Sequence, residues 1–179
     1  MTGMEPVEIA AGRFQLRPWN EHDVEVIAGA LADASIARRP PVPEDEDPHA
    51  WLAAREQRWA SGDGPSFAVM DAVSGEVHGH VALWKVSPQW RSAEVGYWTL
   101  KSSRGRGVAR HGVGALTRWA FGALDLHRLE LRHAVANTAS CAVANASGYA
   151  LEGVLRGCLT GFGEEFTDVH LHARLATDT

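Results

Sequence analysis

Apolar and polar residues alternate over Phe14-Gln-Leu-Arg17, which predicts a strand with one buried face, and Pro18 ends it. Asn20 then stands where a helix cap belongs, with Asp23 three residues on and Val24, Ile27, Ala28 and Leu31 at helical spacing. Trp51, Leu52, Arg55, Arg58 and Trp59 predict a second helix, closed by Gly62 and Gly64. Ser66–Asp71 and Val77–Lys85 read as strands joined by a turn at Ser74-Gly75, and Ala93–Leu100 as a third strand of that series. Val113, Leu116, Ala120 and Leu124 line one helical face, and Leu129, Leu131, His133 and Val135 alternate as a strand. Thr138–Ser147 is helical up to Gly148, and Gly153–Arg174 supplies two last strands. The order is strand, two helices, three strands, helix, strand, helix, two strands, which predicts a mixed α/β (α+β) sheet in one domain spanning residues 1–179. The run from Arg38 to Pro48, rich in proline and acid, reads as a surface loop too short to separate domains.

Composition narrows the class. With 179 residues, 45% hydrophobic and 22% charged, the chain has enough material for a core without disulfides or metal. Its 17 Lys and Arg against 22 Asp and Glu give a formal charge of −5, which argues against nucleic acid or an anionic membrane as a general partner. No apolar run is long enough to span a bilayer, and the first residues show no basic region followed by an apolar stretch, so a cytoplasmic protein is expected. Cys141 and Cys158 fit reduced thiols outside any CxxC pattern. His78-Gly-His80 and His170-Leu-His172 are each spaced to share one face of a strand. Two His alone rarely hold a metal, so no metal site is expected.

The charge is distributed unevenly. Between Glu94 and Asp125 there is no acid, while Lys101, Arg104, Arg106, Arg110 and Arg118 give +5, leaving −10 for the remainder. These cations sit in Lys101-Ser-Ser-Arg-Gly-Arg-Gly-Val-Ala-Arg110 and the helix that follows it, after a strand. A glycine-rich turn before a helix start suits phosphate. Gly105 and Gly107 let the backbone approach, the first helical N–H groups lack partners, the helix dipole favours anions, and the arginines add charge-assisted donors. The spacing excludes the two commonest phosphate loops. Val113 and Gly114 stand where a Walker loop needs Lys and Ser or Thr, and Arg110 stands where a dinucleotide fingerprint needs its third Gly. On glycine spacing alone, a solvated surface turn is an equal reading.

Arg104-x-x-Gly107-x-Ala109 resembles the R/Q-x-x-G-x-G/A signature of the GNAT superfamily of acyl-CoA-dependent N-acyltransferases. Four blocks in order resemble its RimJ/RimL-like branch of ribosomal-protein N-terminal acetyltransferases. They are Leu16-Arg-Pro18, Ala93-Glu-Val-Gly-Tyr-Trp98, Arg104–Ala109, and Asn137-Thr-Ala-Ser140 leading to Gly148-Tyr149 and Glu152-Gly153. The resemblance implies a sheet of about seven strands splayed into a V and flanked by about four helices. It implies acetyl-CoA as acyl donor, with the pyrophosphate on Arg104, Gly105, Arg106, Gly107, Val108, Ala109 and Arg110. The pantetheine arm would run beside Trp98, Thr99 and Leu100, and Asn137 and Ser140 would face the coenzyme. It implies an amine acceptor, either a small molecule or a peptide N-terminus, and a homodimer. The chain departs from the pattern at Ala144, where many members place an acidic Tyr, and at Ala146, where this branch commonly has Lys.

Direct attack of a neutral amine on the thioester needs a base, oxyanion stabilisation and a proton for the thiolate. Glu94 is the first candidate base, through water, with apolar neighbours to raise its pKa; the competing role is a structural anchor. His80 is the second, against a hydrogen-bonded strand histidine. Ser140 is the candidate thiolate donor, against a hydroxyl serving the first helical turn. Tyr149 is expected to pack, Cys141 to be a small buried hydrophobe rather than an acyl carrier, and Asp168 to anchor or contact substrate. Glu44–Asp47 could attract a cationic acceptor or form a solvated tip, and Trp51, Trp59, Trp84, Trp90 and Trp98 could line an acceptor pocket or fill the core. Two other functions fit the same sequence: transfer from a longer donor such as succinyl-CoA, and a non-catalytic acyl-CoA-binding domain.

Overall fold

Phe14 and Leu16 are buried while Gln15 and Arg17 are half-buried, as a strand with one covered face requires. In the computed structural model, which describes residues 4–37, 47–160 and 166–178, this strand is the second of eight in one open sheet ordered β1-β2-β3-β4-β5-β6-β8-β7. The strands are β1 (Ile9–Ala11), β2 (Phe14–Arg17), β3 (Ser66–Asp71), β4 (Val77–Ser87), β5 (Ser92–Thr99), β6 (Arg128–Ala134), β7 (Ala150–Thr160) and β8 (Phe166–Leu175). The helices are α1 (Val24–Ala32), α2 (Ala34–Ala37), α3 (Pro48–Ser61), α4 (Val108–Ala123) and α5 (Thr138–Ala146). The elements beyond expectation are β1 and α2, three and four residues long, too short for either hydrophobic period to register.

Local chemistry sets the boundaries. Asn20 and Asp23 form a reciprocal capping box ahead of α1. Asp47 accepts from the Ala50 N–H at the start of α3, Pro48 opens that helix, and Gly62 closes it in the left-handed region at φ 77°. Successive residues of β3 feed two cores. Phe67 and Val69 pack with Val113, Leu116 and Ala120 of α4, while Ala68 packs with Trp19, Ile27, Trp51 and Leu52 on the side of α1 and α3.

Every neighbouring strand pair is antiparallel except β5 with β6. A parallel pair needs a crossover, and α4 supplies it. The β5–β6 pairing runs only from Ser92↔Arg128 to Val95↔Leu131, although β5 continues to Thr99 and β6 to Ala134. Beyond Val95, β5 stays with β4 and β6 stays with β8, so the sheet opens into a V. At the closed end, Arg91 and Asp125 both adopt left-handed backbone, φ 48° and 52°. Arg91 Nε donates to the Asp125 carbonyl at 2.7 Å, and the Arg91 carbonyl accepts from the N–H groups of His127 and Arg128.

A bulge in β4 changes one expectation. Val69 pairs with Gly79 and Met70 with Val77, which leaves His78 outside the register. His78 therefore packs edge-on against Phe14, while His80 joins Trp19, Trp51 and Trp98. Their shared spacing does not give them a shared set of neighbours.

Candidate active site

The glycine-arginine segment lies at the open end of the V. Gly105 and Gly107 take φ 75° and 79°, a conformation that L side chains rarely adopt. Gly107 is the N-cap of α4 and has no side chain to satisfy the first N–H groups. Buried Val108 fixes the helix start in the core. Two contacts that the sequence reading missed moor the preceding turn on the β4 bulge. His78 Nδ1 lies 2.9 Å from Ser103 Oγ, and the Leu100 N–H donates to the His78 carbonyl at 2.9 Å. No linear spacing signals them, because they depend on the bulge.

The arginines divide. Arg104 donates to Ser35 Oγ at 2.6 Å, lies 3.6 Å from Asp33 and reaches back to the Thr99 carbonyl, so it ties the loop to the α1–α2 corner. Ser35 holds the Asp33 carboxyl below its ordinary range through its hydroxyl and N–H, and Arg104 adds to this. Arg106 and Arg110 are exposed and make no ion pair among the described residues. A cleft of about 570 Å³ lies on the α1 side of the loop, beside Asp33 and Leu100–Ser102. A second, of about 490 Å³, lies between α4 and α5 and is lined by Arg110, Arg118 and Arg174 together with Gly12 and Gly148.

On the arm of the V, the edge of Gly96–Thr99 that faces β6 has no strand partner. Trp98 stacks on His80 with ring centroids 5.3 Å apart and 14° between planes. Ala109 continues the first turn of α4. Across the gap, Asn137 spends its side-chain oxygen on the Ser140 N–H at 3.0 Å and caps α5. That oxygen serves the helix start, and the Asn137 amide NH2 is not engaged by this bond. Ser140 is buried in the same first turn.

The two candidate bases sit in surroundings the sequence did not foresee. Lys85 Nζ donates to Glu94 Oε1 at 2.7 Å, and Arg132 lies 3.6 Å from the same oxygen. These are cationic neighbours, not the apolar wall expected. Lys85 reaches Glu94 from a left-handed backbone, φ 48°, at the register shift between Trp84 and Ser87. The ladder continues through Glu130, which takes Arg132 at 2.7 Å and Arg128 at 3.0 Å, to Glu152 on Arg128. Burial pushes the Glu130 carboxyl up, but hydrogen bonds from Arg132 and Arg128 outweigh it and hold it below its ordinary range. His80 is buried, and its Nδ1 accepts the Trp19 Nε1–H at 3.0 Å. Burial, reinforced by Arg55, lowers its pKa well below 6.5. A neutral imidazole whose lone pair is held by Trp19 has no lone pair left for an amine proton, so His80 takes the role of a hydrogen-bonded strand histidine.

Other expected roles resolve simply. Tyr149 is buried against Thr117 Oγ1 at 2.7 Å, and burial pushes its pKa up to about 12 despite that hydrogen bond, so it packs. Asp168 accepts from the Gly157 N–H at 2.8 Å and anchors β7 to β8. Cys141 is half-buried and Cys158 exposed, both as free thiols. Trp51 and Trp59 are core, Trp84 lies under Arg55 and Arg58, and Trp90 is 73% exposed, so the five do not form one pocket. The acidic run up to Glu46 lies outside the described residues. Among the described residues, no helix is long and apolar enough to cross a membrane.

The sheet is mixed and splits beside an arginine-bearing helix start. Residues 13–150 match the family described as the acetyltransferase (GNAT) domain, and the chain belongs to that family. It is 30% identical over 100 residues to the ribosomal-protein-serine acetyltransferase of Escherichia coli, covering 56% of this chain and 55% of that protein, so the match spans about half of the relative's length. The structure of Mycobacterium smegmatis RimJ in complex with CoA-disulfide is 27% identical, with a TM-score of 0.82, covering 96% of this chain and 86% of that one. Both relatives are of the RimJ/RimL-like kind. Vibrio cholerae spermidine N-acetyltransferase in complex with CoA and spermine shares the fold, at 22% identity and a TM-score of 0.82 over 92% and 96% of the chains.

Proposed function

We propose that this protein, as one domain over residues 1–179, transfers an acetyl group from acetyl-CoA to a primary amine within a ternary complex. The observation that carries the reading is the start of α4 at the mouth of the V. Main-chain N–H groups there stand without a side-chain cap, beside Arg106 and Arg110, which have no ion-pair partner among the described residues. The pyrophosphate takes those donors. The pantetheine arm adds to the strand edge at Trp98–Leu100, and the thioester enters the V.

The amine nitrogen attacks the thioester carbonyl, a C–N bond forms, the C–S bond breaks, and coenzyme A leaves as its thiol. Holding both reactants in one cleft supplies much of the rate. Glu94, at the closed end of the V, takes the amine proton through water, and the Lys85 and Arg132 ion pairs fix its position. Ser140 protonates the departing thiolate from the first turn of α5. The acceptor is a protein or peptide α-amino group or a small amine; the ribosomal-protein relative and the spermine complex both concern amines.

The test has two stages. Coenzyme A at 100 times its Kd should stabilise the fold by about 2.7 kcal/mol in a thermal-shift measurement, and no shift would sink the coenzyme assignment. Free thiol is then measured with acetyl-CoA or succinyl-CoA and an amine panel. Release that depends on the amine and prefers acetyl-CoA supports the proposal. Tight coenzyme binding without amine-dependent release would identify a binding domain instead.

A further inference from the structure

His170 and His172 leave β8 on the same side, as their spacing predicts, and the β6–β8 register brings a third histidine to them. His133 pairs directly with His170, and Leu131 pairs with His172. The His133 ring lies 5.2 Å from that of His170 and 5.1 Å from that of His172, centroid to centroid. Cys141 reaches the same spot from the first turns of α5. One ligand atom from each of these four residues falls within 4.8 Å of all the others.

The hydrogen bonds around the cluster leave lone pairs in the interior. His172 has no exposed surface, and its Nδ1 faces the Tyr149 carbonyl at 3.1 Å. A carbonyl only accepts, so the proton sits on Nδ1 and Nε2 keeps a bare lone pair. That Nε2, and Nδ1 of His170, are buried and meet no donor or acceptor among the described residues. His133 follows the same rule: its Nδ1–H donates to the Ala134 carbonyl at 2.8 Å, which leaves the lone pair on Nε2. Metal-binding histidines are commonly oriented by a carbonyl on the second nitrogen in this way. The buried Nε2 lone pair of His172, which meets no donor among the described residues, calls for an explanation, and an ion provides one.

We propose that His133, Cys141, His170 and His172 form a structural zinc site. Three imidazoles and a thiolate suit a borderline-soft divalent ion, and four protein ligands make a closed site without an open position for substrate. Tetrahedral bonds of about 2.0–2.3 Å put ligand atoms about 3.3–3.8 Å apart, so the cluster closes by about 1 Å onto the ion. Cys141 gives up its thiol proton to solvent as the Zn–S bond forms. The ion ties β6, β8 and α5 together beside Ser140. It acts as a tie rather than a reactant, so the site stands independently of the proposed transfer.

The test uses the full chain, stripped with a chelator under a thiol-free reductant. Zn²⁺ is titrated against a chromophoric indicator, and Co²⁺ serves as the spectroscopic probe. One equivalent of Zn²⁺ should bind and raise the melting temperature. Co²⁺ should give tetrahedral visible bands and a thiolate-to-cobalt charge-transfer band. Cys141→Ser should erase the charge-transfer band, and His170→Gln should weaken Zn²⁺ binding at least about tenfold. Neither change touches fully buried His172, and circular dichroism verifies the fold. Cys158→Ser should leave the spectrum unchanged. The proposal is overturned by failure to bind one equivalent, by a spectrum that survives both Cys141→Ser and His170→Gln, or by loss of the charge-transfer band in Cys158→Ser.

Discussion

At the start of α4, Arg106 and Arg110 stand with no ion pair among the described residues, whereas Lys85, Glu94, Arg132, Glu130, Arg128 and Glu152 alternate in sign and pair off in a row across β4, β5, β6 and β7. The two regions hold similar residues and use them differently. Cations whose field the protein leaves open remain available to a ligand anion. Charges that already answer one another hold the scaffold and gain little from a newcomer. A residue inside such a row can still do chemistry, but its partners then restrain it. For the base proposed at Glu94, this favours positioning a water over direct contact with the amine.

The largest way to break this contrast is Gly107→Glu. A side chain there is strained at φ 79°, meets His111 within 3.2 Å and brings a negative charge to the helix start. Coenzyme affinity should fall on the order of 100-fold or more by calorimetry, and retained affinity would show that the loop is an ordinary surface turn. Glu94→Gln should lower kcat about 10- to 100-fold and leave coenzyme affinity unchanged. Activity within about threefold of the parent would make Glu94 purely a member of the ladder. Arg110→Ala should weaken coenzyme binding several-fold, more at low salt, at a cost in stability below about 0.5 kcal/mol. Arg128→Ala should do the reverse, lowering stability by about 1 kcal/mol without changing coenzyme affinity, because it removes a partner from both Glu130 and Glu152.

The smallest effect is in pH dependence. The folded state keeps His80 neutral and depresses its pKa, while the unfolded chain takes up a proton near pH 6.5. Between these values the unfolded state binds more protons, so His80 makes stability fall as pH drops below about 6.5. Glu130 and Glu152 are also depressed, so their contribution is present above the ordinary carboxylate range and is lost further down as they protonate. His80→Gln, which keeps an acceptor for Trp19, should flatten only the first of these two phases in denaturant melts. An unchanged slope above about pH 5 would mean that His80 titrates normally.

Legibility followed sequence distance. The segment from Lys101 to Arg110 is contiguous, so its glycines, cations and helix start could be read directly. The strands and helices with several turns of periodicity were readable for the same reason. The V was expected only through family resemblance, because divergence after Val95 and Leu131 leaves no mark on either strand's pattern. Arg104 carried the signature, yet its contacts with Asp33 and Ser35 belong to tertiary packing. The surroundings of Glu94 depend on Lys85 and Arg132 arriving from other strands. The Trp19–His80 bond joins residues 61 positions apart. His133, Cys141 and the His170–His172 pair are drawn together by a strand register that no local pattern encodes.

Arg91 and Asp125 lock the apex of the V with two left-handed residues and a bond from side chain to carbonyl. Mechanically this makes the sheet a pair of tweezers. One blade is β1 through β5, the other is β6, β8 and β7, and they share one stiff pivot. Any flexing is expected at the tips, where Thr99 and Ala134 lie beyond the paired residues, and not at the base. Amide exchange should accordingly be slow around His127 and Arg128, whose N–H groups the Arg91 carbonyl holds, and quick along the unpaired edge of Gly96–Thr99 until a ligand lies against it. Trp90, exposed right beside the pivot, provides a natural fluorophore for watching it.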